Sequence, residues 1–176
     1  GIGGYVRRRE PRWRGSSHSS TSARTNFQAH PMATFRGTFD YTLDAKNRLT
    51  VPARFRAALA EGVVMAKGTE PCVALWTPEA YDAYTESILS TYNPLSEEAD
   101  KLQRFFSANS VDTELDSAGR AGFPPFLLEH AGLKKEVVVT GARNRIEVWD
   151  RATWADYNEQ LIADVKDIRS RLSHAG

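Results

Sequence analysis

The sequence has a single cysteine, Cys72, and no apolar run long enough to span a membrane. One cysteine excludes an internal disulfide and suits a reducing compartment, so we expect a cytoplasmic protein. The four histidines are scattered through the chain, with neither metal-ligand spacing nor a Ser-His-Asp order. A phosphate-binding Gly-x-x-x-x-Gly-Lys loop is also lacking. We therefore expect a protein that is not an enzyme, without metal, cofactor or catalytic residues.

Positive charge is concentrated at the beginning of the chain. Residues 1–31 contain six Arg and one Glu, whereas the rest contains 17 basic and 21 acidic side chains. The first segment is rich in Ser and Arg and has no hydrophobic period, so we predict a disordered extension over 1–31 and a patterned region beginning near Met32. Because that region is net acidic, it can hold nucleic acid only through a local cluster of cations.

The patterned region contains an internal repeat. A shift of 72 residues aligns 43–48 with 115–120, and Pro52 with Pro124. A shift of 73 then aligns Gly68 with Gly141, Trp76 with Trp149, Tyr81 with Trp154, and Tyr84 with Tyr157. Agreement at many positions in one order indicates a duplication. We place the first unit at 35–84, a helical insert at 85–109, and the second unit with a C-terminal helix at 110–176.

Each copy shows the same pattern of short alternating strands, a tight turn, a short helix, two further strands and a final helix. One copy has too little apolar surface for its own core. We therefore predict an α+β, β-rich fold in which both copies form one pseudo-two-fold β-barrel with peripheral helices. After Trp154 the apolar positions step by three or four, which predicts a helix lying against either its own barrel or a neighbouring subunit.

Both copies contain an Asp-x-x-x-Arg turn. This spacing places a carboxylate and a guanidinium within reach of a bidentate salt bridge that would rigidify the turn. The first turn has an additional lysine at its tip, and two arginines follow it, Arg54 and Arg56. Self-association would array these cations along a DNA backbone. The candidate DNA-binding residues are Lys46, Arg48, Arg54 and Arg120, and the candidate structural carboxylates are Asp44 and Asp116.

Two other functions remain open. Paired aspartates are typical of aspartic hydrolases, but such a pair needs one carboxylate with a raised pKa, and an adjacent arginine lowers it. The other alternative is an oligomeric assembly or adaptor module that does not bind DNA, in which the turns make only subunit contacts.

The segments 35–37, 43–56 and 116–120, together with Pro124, closely resemble the MraZ family of bacterial proteins, and the likeness extends over about 35–170. The resemblance implies tandem AbrB-like units folded as one swapped-hairpin barrel, and a ring-shaped homo-oligomer. It further implies a nucleoid-associated transcriptional regulator that binds repeated sites in double-stranded DNA, upstream of its own division and cell-wall gene cluster.

In that family the loop arginines and the loop lysine are the DNA-contacting candidates, which marks Lys46, Arg48 and Arg120 here. Asn47 departs from the family pattern, since the first motif usually has glycine there. Asn adopts the left-handed region more readily than most residues, so we expect the turn to be retained.

Overall fold

The structure is a computed structural model that describes residues 32–173, and the extension predicted over 1–31 lies outside them. The strands are β1 (Thr38–Thr42), β2 (Arg48–Thr50), β3 (Val63–Lys67), β4 (Cys72–Trp76), β5 (Ser110–Thr113), β6 (Arg120–Gly122), β7 (Glu136–Gly141) and β8 (Ile146–Asp150). The helices are α1 (Ala53–Arg56), α2 (Pro78–Leu89), α3 (Glu97–Ala108), α4 (Pro125–Ala131) and α5 (Arg151–Ser173). The fold is therefore α+β, as predicted.

The strands form a six-stranded antiparallel sheet in the order β1-β7-β8-β4-β3-β5 and a two-stranded ribbon of β2 and β6. The first strand of each copy pairs with the third strand of the other. When each strand of the first copy is replaced by its equivalent in the second copy, and the reverse, the strand order of the sheet is unchanged when it is read from the other edge. A pseudo-two-fold axis therefore relates the copies. Strands β1 and β5 are the two edges, and no pairing within 32–173 joins them. The strand pairing thus gives an open sheet with a ribbon, and does not show the closed barrel that was predicted.

The pseudo-two-fold axis passes through two residue pairs. Ala74 pairs with Glu147 at the centre of the sheet, and Leu49 pairs with Ala121 at the centre of the ribbon. Each pair joins positions that the repeat alignment had made equivalent. The axis therefore relates the two Asp-x-x-x-Arg turns, one at each end of the ribbon.

The main core lies between one face of the sheet and the ribbon with helices α1 and α4. Leu49 and Val51 from the ribbon side are fully buried against Met65, Leu75 and Val148 of the sheet. Alternation along the strands sends the intervening side chains to the opposite face. Burial of the inner ribbon face leaves its outer face, including the flanking turns, toward solvent.

The other face of the sheet packs against helix α2. Thr77 caps this helix, because its hydroxyl accepts the backbone N–H of Ala80, and Pro78 occupies the first turn. Trp76 contacts the rings of Tyr81 and Tyr84 on the helix. In the second copy Trp149 contacts Trp154 and Tyr157 of α5 in the same manner. Both strand tryptophans are buried.

Helix α5 continues well past the sheet. Its 23 residues span about 34 Å at 1.5 Å per residue, and none of them is buried. Four large apolar side chains on its C-terminal half are exposed: Ile162, Val165, Ile168 and Leu172. The described part of the chain therefore leaves about half or more of each of these side chains uncovered, whereas packing on the protein's own barrel was one of the two predicted arrangements. None of the described helices is both long and apolar enough to cross a membrane.

Candidate nucleic-acid interface

The first Asp-x-x-x-Arg turn is organised by one carboxylate. Asp44 Oδ2 accepts a hydrogen bond from Arg48 Nε at 2.7 Å. Asp44 Oδ1 accepts the backbone N–H groups of Lys46 and Arg48, each at 2.9 Å. A further backbone bond from Asn47 N–H to Asp44 O closes the turn. The same carboxylate thus fixes both the loop backbone and the arginine side chain.

The second turn repeats this arrangement. Arg120 Nε donates to Asp116 Oδ2 at 2.7 Å, and the N–H groups of Ala118 and Arg120 donate to Asp116 Oδ1 at 2.9 Å. The backbone N–H of Gly119 donates to Asp116 O, as that of Asn47 does in the first turn. Two loops 72 residues apart therefore have the same hydrogen-bond pattern.

Each loop arginine is bound through Nε alone, so the bidentate pair predicted from the spacing is wrong. The reason is that Oδ1 of the aspartate is already occupied by two backbone donors of the tight turn. The Nη groups of Arg48 and Arg120 donate no hydrogen bond to another residue within 32–173. Because a guanidinium has five N–H donors, each arginine keeps its outer edge available for an external acceptor.

The ribbon brings the two arginines to one surface. Arg48 pairs with Gly122, and Arg120 pairs with Thr50. Side chains at these positions share one face, whereas Leu49 between them points into the core. The two arginines are diagonal neighbours, roughly 7 to 8 Å apart at their backbones. With 31% and 36% of their side chains exposed, they are accessible on the outer face of the ribbon.

Both loop carboxylates favour the ionised form. The pKa of Asp44 is lowered chiefly by the hydrogen bond from the Arg48 backbone, and the pKa of Asp116 is lowered in the same way by Arg120. Hydrogen bonds to the carboxylate stabilise its charge and together outweigh desolvation, which acts in the opposite direction. An aspartic dyad needs one protonated carboxylate near neutral pH, so this electrostatic environment opposes the hydrolase alternative.

The other candidate cations lie in different surroundings. Lys46 is exposed at the tip of the first turn. The guanidinium carbon of Arg54 lies 4.9 Å from the centre of the Phe39 ring, in a cation–π contact on α1. Arg56, which the candidate site did not include, donates from Nε to Val51 O at 2.8 Å, next to the second turn. The sequence did show that Arg56 follows Arg54 closely after the first turn. Nothing in the local sequence, however, indicated which of the two arginines would reach the second turn.

Left-handed backbone occurs at equivalent positions of the two turns. Asn47 has φ of 55°, and Gly119 has φ of 73°. The expectation that Asn47 would retain the turn is therefore confirmed. Elsewhere in 32–173, no group of three or more His, Cys, Asp or Glu side chains is arranged to hold a metal ion.

Comparison with known families agrees with the duplication. The family model described as “MraZ protein, putative antitoxin-like” matches two successive segments, residues 34–106 and 105–173. Two tandem matches to one model confirm that the same unit occurs twice, and together they cover most of the chain. The matched family is regulatory and non-catalytic. The chain therefore belongs to the MraZ family.

Proposed function

We propose that this protein is a sequence-specific, DNA-binding transcriptional regulator that contacts double-stranded DNA through the outer face of the β2–β6 ribbon. The observation that carries the proposal is the shared orientation of Arg48 and Arg120. Both side chains are held at Nε by an aspartate, and their Nη groups donate to no other residue among 32–173. Asp44 and Asp116 hold the arginines in place without entering the DNA contact themselves.

The chemistry of these arginines suits DNA in two ways. A guanidinium edge can donate two hydrogen bonds to a phosphate or to O6 and N7 of guanine. A two-stranded β-ribbon is also narrow enough for the major groove, which is about 12 Å wide. Lys46 and Arg54 add positive charge to the same region of the first copy. Since residues 32–176 are net acidic, this local cluster rather than the whole surface is the basis for binding.

Self-association would multiply this surface. We propose that the exposed apolar face of α5, formed by Ile162, Val165, Ile168 and Leu172, contacts another copy in a ring-shaped homo-oligomer. Several ribbons in one assembly would bind repeated sites with increased avidity. The resemblance to regulators of their own gene cluster suggests repeated sites upstream of a division and cell-wall operon, and hence association with the nucleoid.

The test is a mobility-shift titration of the full chain on DNA from upstream of its own gene. We expect Arg48→Ala and Arg120→Ala each to weaken binding by about tenfold or more, since a bidentate arginine contact contributes roughly 1 to 3 kcal/mol. Arg104→Ala is the matched control, because Arg104 lies on α3 and pairs with Asp100. Equal affinity of all four proteins would contradict the proposal.

The exposed face of α5 also supports a second candidate, an assembly module without DNA binding. Val165→Asp combined with Ile168→Asp should dissociate the oligomer, as measured by native mass. An assembly module predicts that the intact oligomer shows no salt-dependent retention on DNA. A DNA-binding regulator predicts steep loss of affinity with salt, because each phosphate contact releases counterions.

A further inference from the structure

We infer that Arg56 is a third DNA-contacting arginine, and that it serves the second turn although it belongs to the first copy. This inference rests on the proposed DNA-binding function and extends its surface to a residue that neither the repeat nor the Asp-x-x-x-Arg pattern marks.

Arg56 is held against the tip of the second turn. Its Nε donates to Val51 O at 2.8 Å, and the backbone N–H of Val51 donates to Gly119 O at 2.9 Å. A Cβ atom added at Gly119 would overlap Nε and Cδ of Arg56. The guanidinium therefore lies directly on Gly119, in the space that any other residue at that position would fill.

The donors of Arg56 are presented in the same way as those of the two loop arginines. In all three, Nε is bound to a protein oxygen, at 2.7 Å in Arg48 and Arg120 and at 2.8 Å in Arg56. The Nη groups of Arg56, like theirs, make no hydrogen bond to another residue in the described part of the chain. Fixing Nε restricts the side chain before binding and leaves a two-donor edge for a phosphate.

Comparison of equivalent positions explains why the second turn needs this arginine. The first turn has a second cation, Lys46, where the second turn has Ala118. Arg56 supplies the missing charge from α1, and its own equivalent on α4 is the uncharged Leu128. Apart from Arg54, which lies over the Phe39 ring, each turn thus has two cations: one pair lies within a single loop, and the other is assembled from two copies.

The glycine at the second turn is part of this arrangement. Asn47 and Gly119 are equivalent and both adopt positive φ, so the backbone conformation alone does not require glycine. Gly119 differs in that it leaves room for the Arg56 guanidinium. The residues equivalent to Gly119 and Arg56 are Asn47 and Leu128, so the first turn lacks this contact between a glycine and an arginine.

The test compares DNA binding and its salt dependence for the full chain and its variants. We expect Arg56→Ala to weaken binding about tenfold and to reduce the slope of log affinity against log salt by about one, as for a lost phosphate contact. Gly119→Asn should have a similar effect, because Asn tolerates the backbone but displaces Arg56. In a chain that already has Arg56→Ala, adding Gly119→Asn should cause no further loss.

A rescue variant separates DNA contact from a structural role of Arg56 in anchoring α1. Ala118→Lys, added to Arg56→Ala, places a lysine where the first turn has Lys46, and should restore both affinity and salt slope. A structural anchor would not be replaced by a lysine on the loop, so failure of this rescue would overturn the inference. Thermal unfolding of each variant verifies that it is folded.

The remaining outcomes distinguish this inference from the proposed function. Unchanged binding by Arg56→Ala, with weakened binding by Arg48→Ala and Arg120→Ala, would overturn the role of Arg56 and leave the proposed function standing. Unchanged binding by all three variants would overturn the proposed function itself.

Discussion

The two copies have the same turns but different surroundings. In both turns an aspartate accepts the same three hydrogen bonds, with matching distances of 2.7 and 2.9 Å. The side chains around the turns have diverged. Lys46 of the first copy is equivalent to Ala118 of the second, and Arg56 is equivalent to Leu128. The duplication has thus kept the geometry that holds an arginine and varied the charges beside it.

The two copies also differ at the centre of the sheet, where the pseudo-two-fold axis passes between Ala74 and Glu147. Trp149 Nε1 donates to Glu147 Oε2 at 3.1 Å, and Glu147 Oε1 accepts a hydrogen bond from Arg145 Nε. Ala74 is the equivalent of Glu147, and the equivalent indole, Trp76 Nε1, is buried without a hydrogen-bond partner among the described residues. Arg145 instead lies over the Trp76 ring, at 5.4 Å from its centre. The Glu147 carboxylate therefore binds the indole of Trp149 in the second copy, and it also holds Arg145 over the ring of Trp76 in the first copy.

Two equivalent glycines should give the largest difference between the copies. A Cβ at Gly141 would overlap the backbone of Phe35 and Arg36, and moving this backbone would disturb the isolated bridge between Phe35 and Arg143. A Cβ at Gly68 would chiefly overlap a side-chain atom, Sγ of Cys72, and would lie 3.0 Å from Cys72 O. We expect Gly141→Ala to lower the free energy of unfolding by about 3 kcal/mol and Gly68→Ala by about 1 kcal/mol, in urea titrations.

Equal losses for the two glycine variants would contradict this explanation. The expected order follows from the atom that each Cβ meets, since both residues occupy the same place in the repeat. Gly122 gives a suitable control, because a Cβ there would meet only Arg48 Cγ, at an ordinary 3.7 Å.

Removing the carboxylate on the axis should make the second copy resemble the first. Glu147→Ala leaves Trp149 Nε1 without its acceptor and Arg145 without its ion pair. We expect a loss of about 1 to 2 kcal/mol in the free energy of unfolding, as for a buried donor left unsatisfied. Glu147→Gln retains an acceptor and should lose less. A loss from Glu147→Gln as large as that from Glu147→Ala would show that the ion pair, rather than the indole bond, dominates.

The repeat, the turns and the short elements were predictable because each depends on local sequence. Alternating apolar residues, prolines and the turn spacing mark the strands and loops of both copies. Gly132, which ends α4, has a left-handed φ of 58°, the conformation that a glycine C-cap adopts. These features need no information about distant partners.

The features that the sequence did not predict depend on distant contacts. Alternation shows which face of a strand is buried but not which strands are left as edges, so the closed barrel was expected where the pairing gives an open sheet. Arg54 and Arg56 are two residues apart, and only the pairing of β2 with β6 decides which one meets the second turn. Likewise, the spacing of apolar residues located the apolar face of α5, but it did not show that the C-terminal half of this face is exposed.

The smallest expected effect concerns the feature that the copies share. Because the pKa of Asp44 and that of Asp116 are lowered by the same kind of backbone hydrogen bond, the two turns should respond to acid together. A lowered pKa in the folded state means that the stabilisation is present above the ordinary value of 3.8 and is lost as pH falls through the lower folded value. We therefore expect both turns to stay ordered at pH 4 and to loosen only below 3.8.

The measurement is an NMR titration of the backbone amides of Lys46 and Ala118, which donate to the two carboxylates. Both signals should shift in parallel below pH 3.8. Asp44→Asn keeps the Oδ1 acceptor but cannot ionise, so the Lys46 shift should disappear while that of Ala118 is unchanged. Shifts that differ between the turns would show that the neighbouring cations, and not the shared backbone geometry, set the charge of each carboxylate. Shifts that begin above the ordinary value would contradict the lowered pKa of both carboxylates.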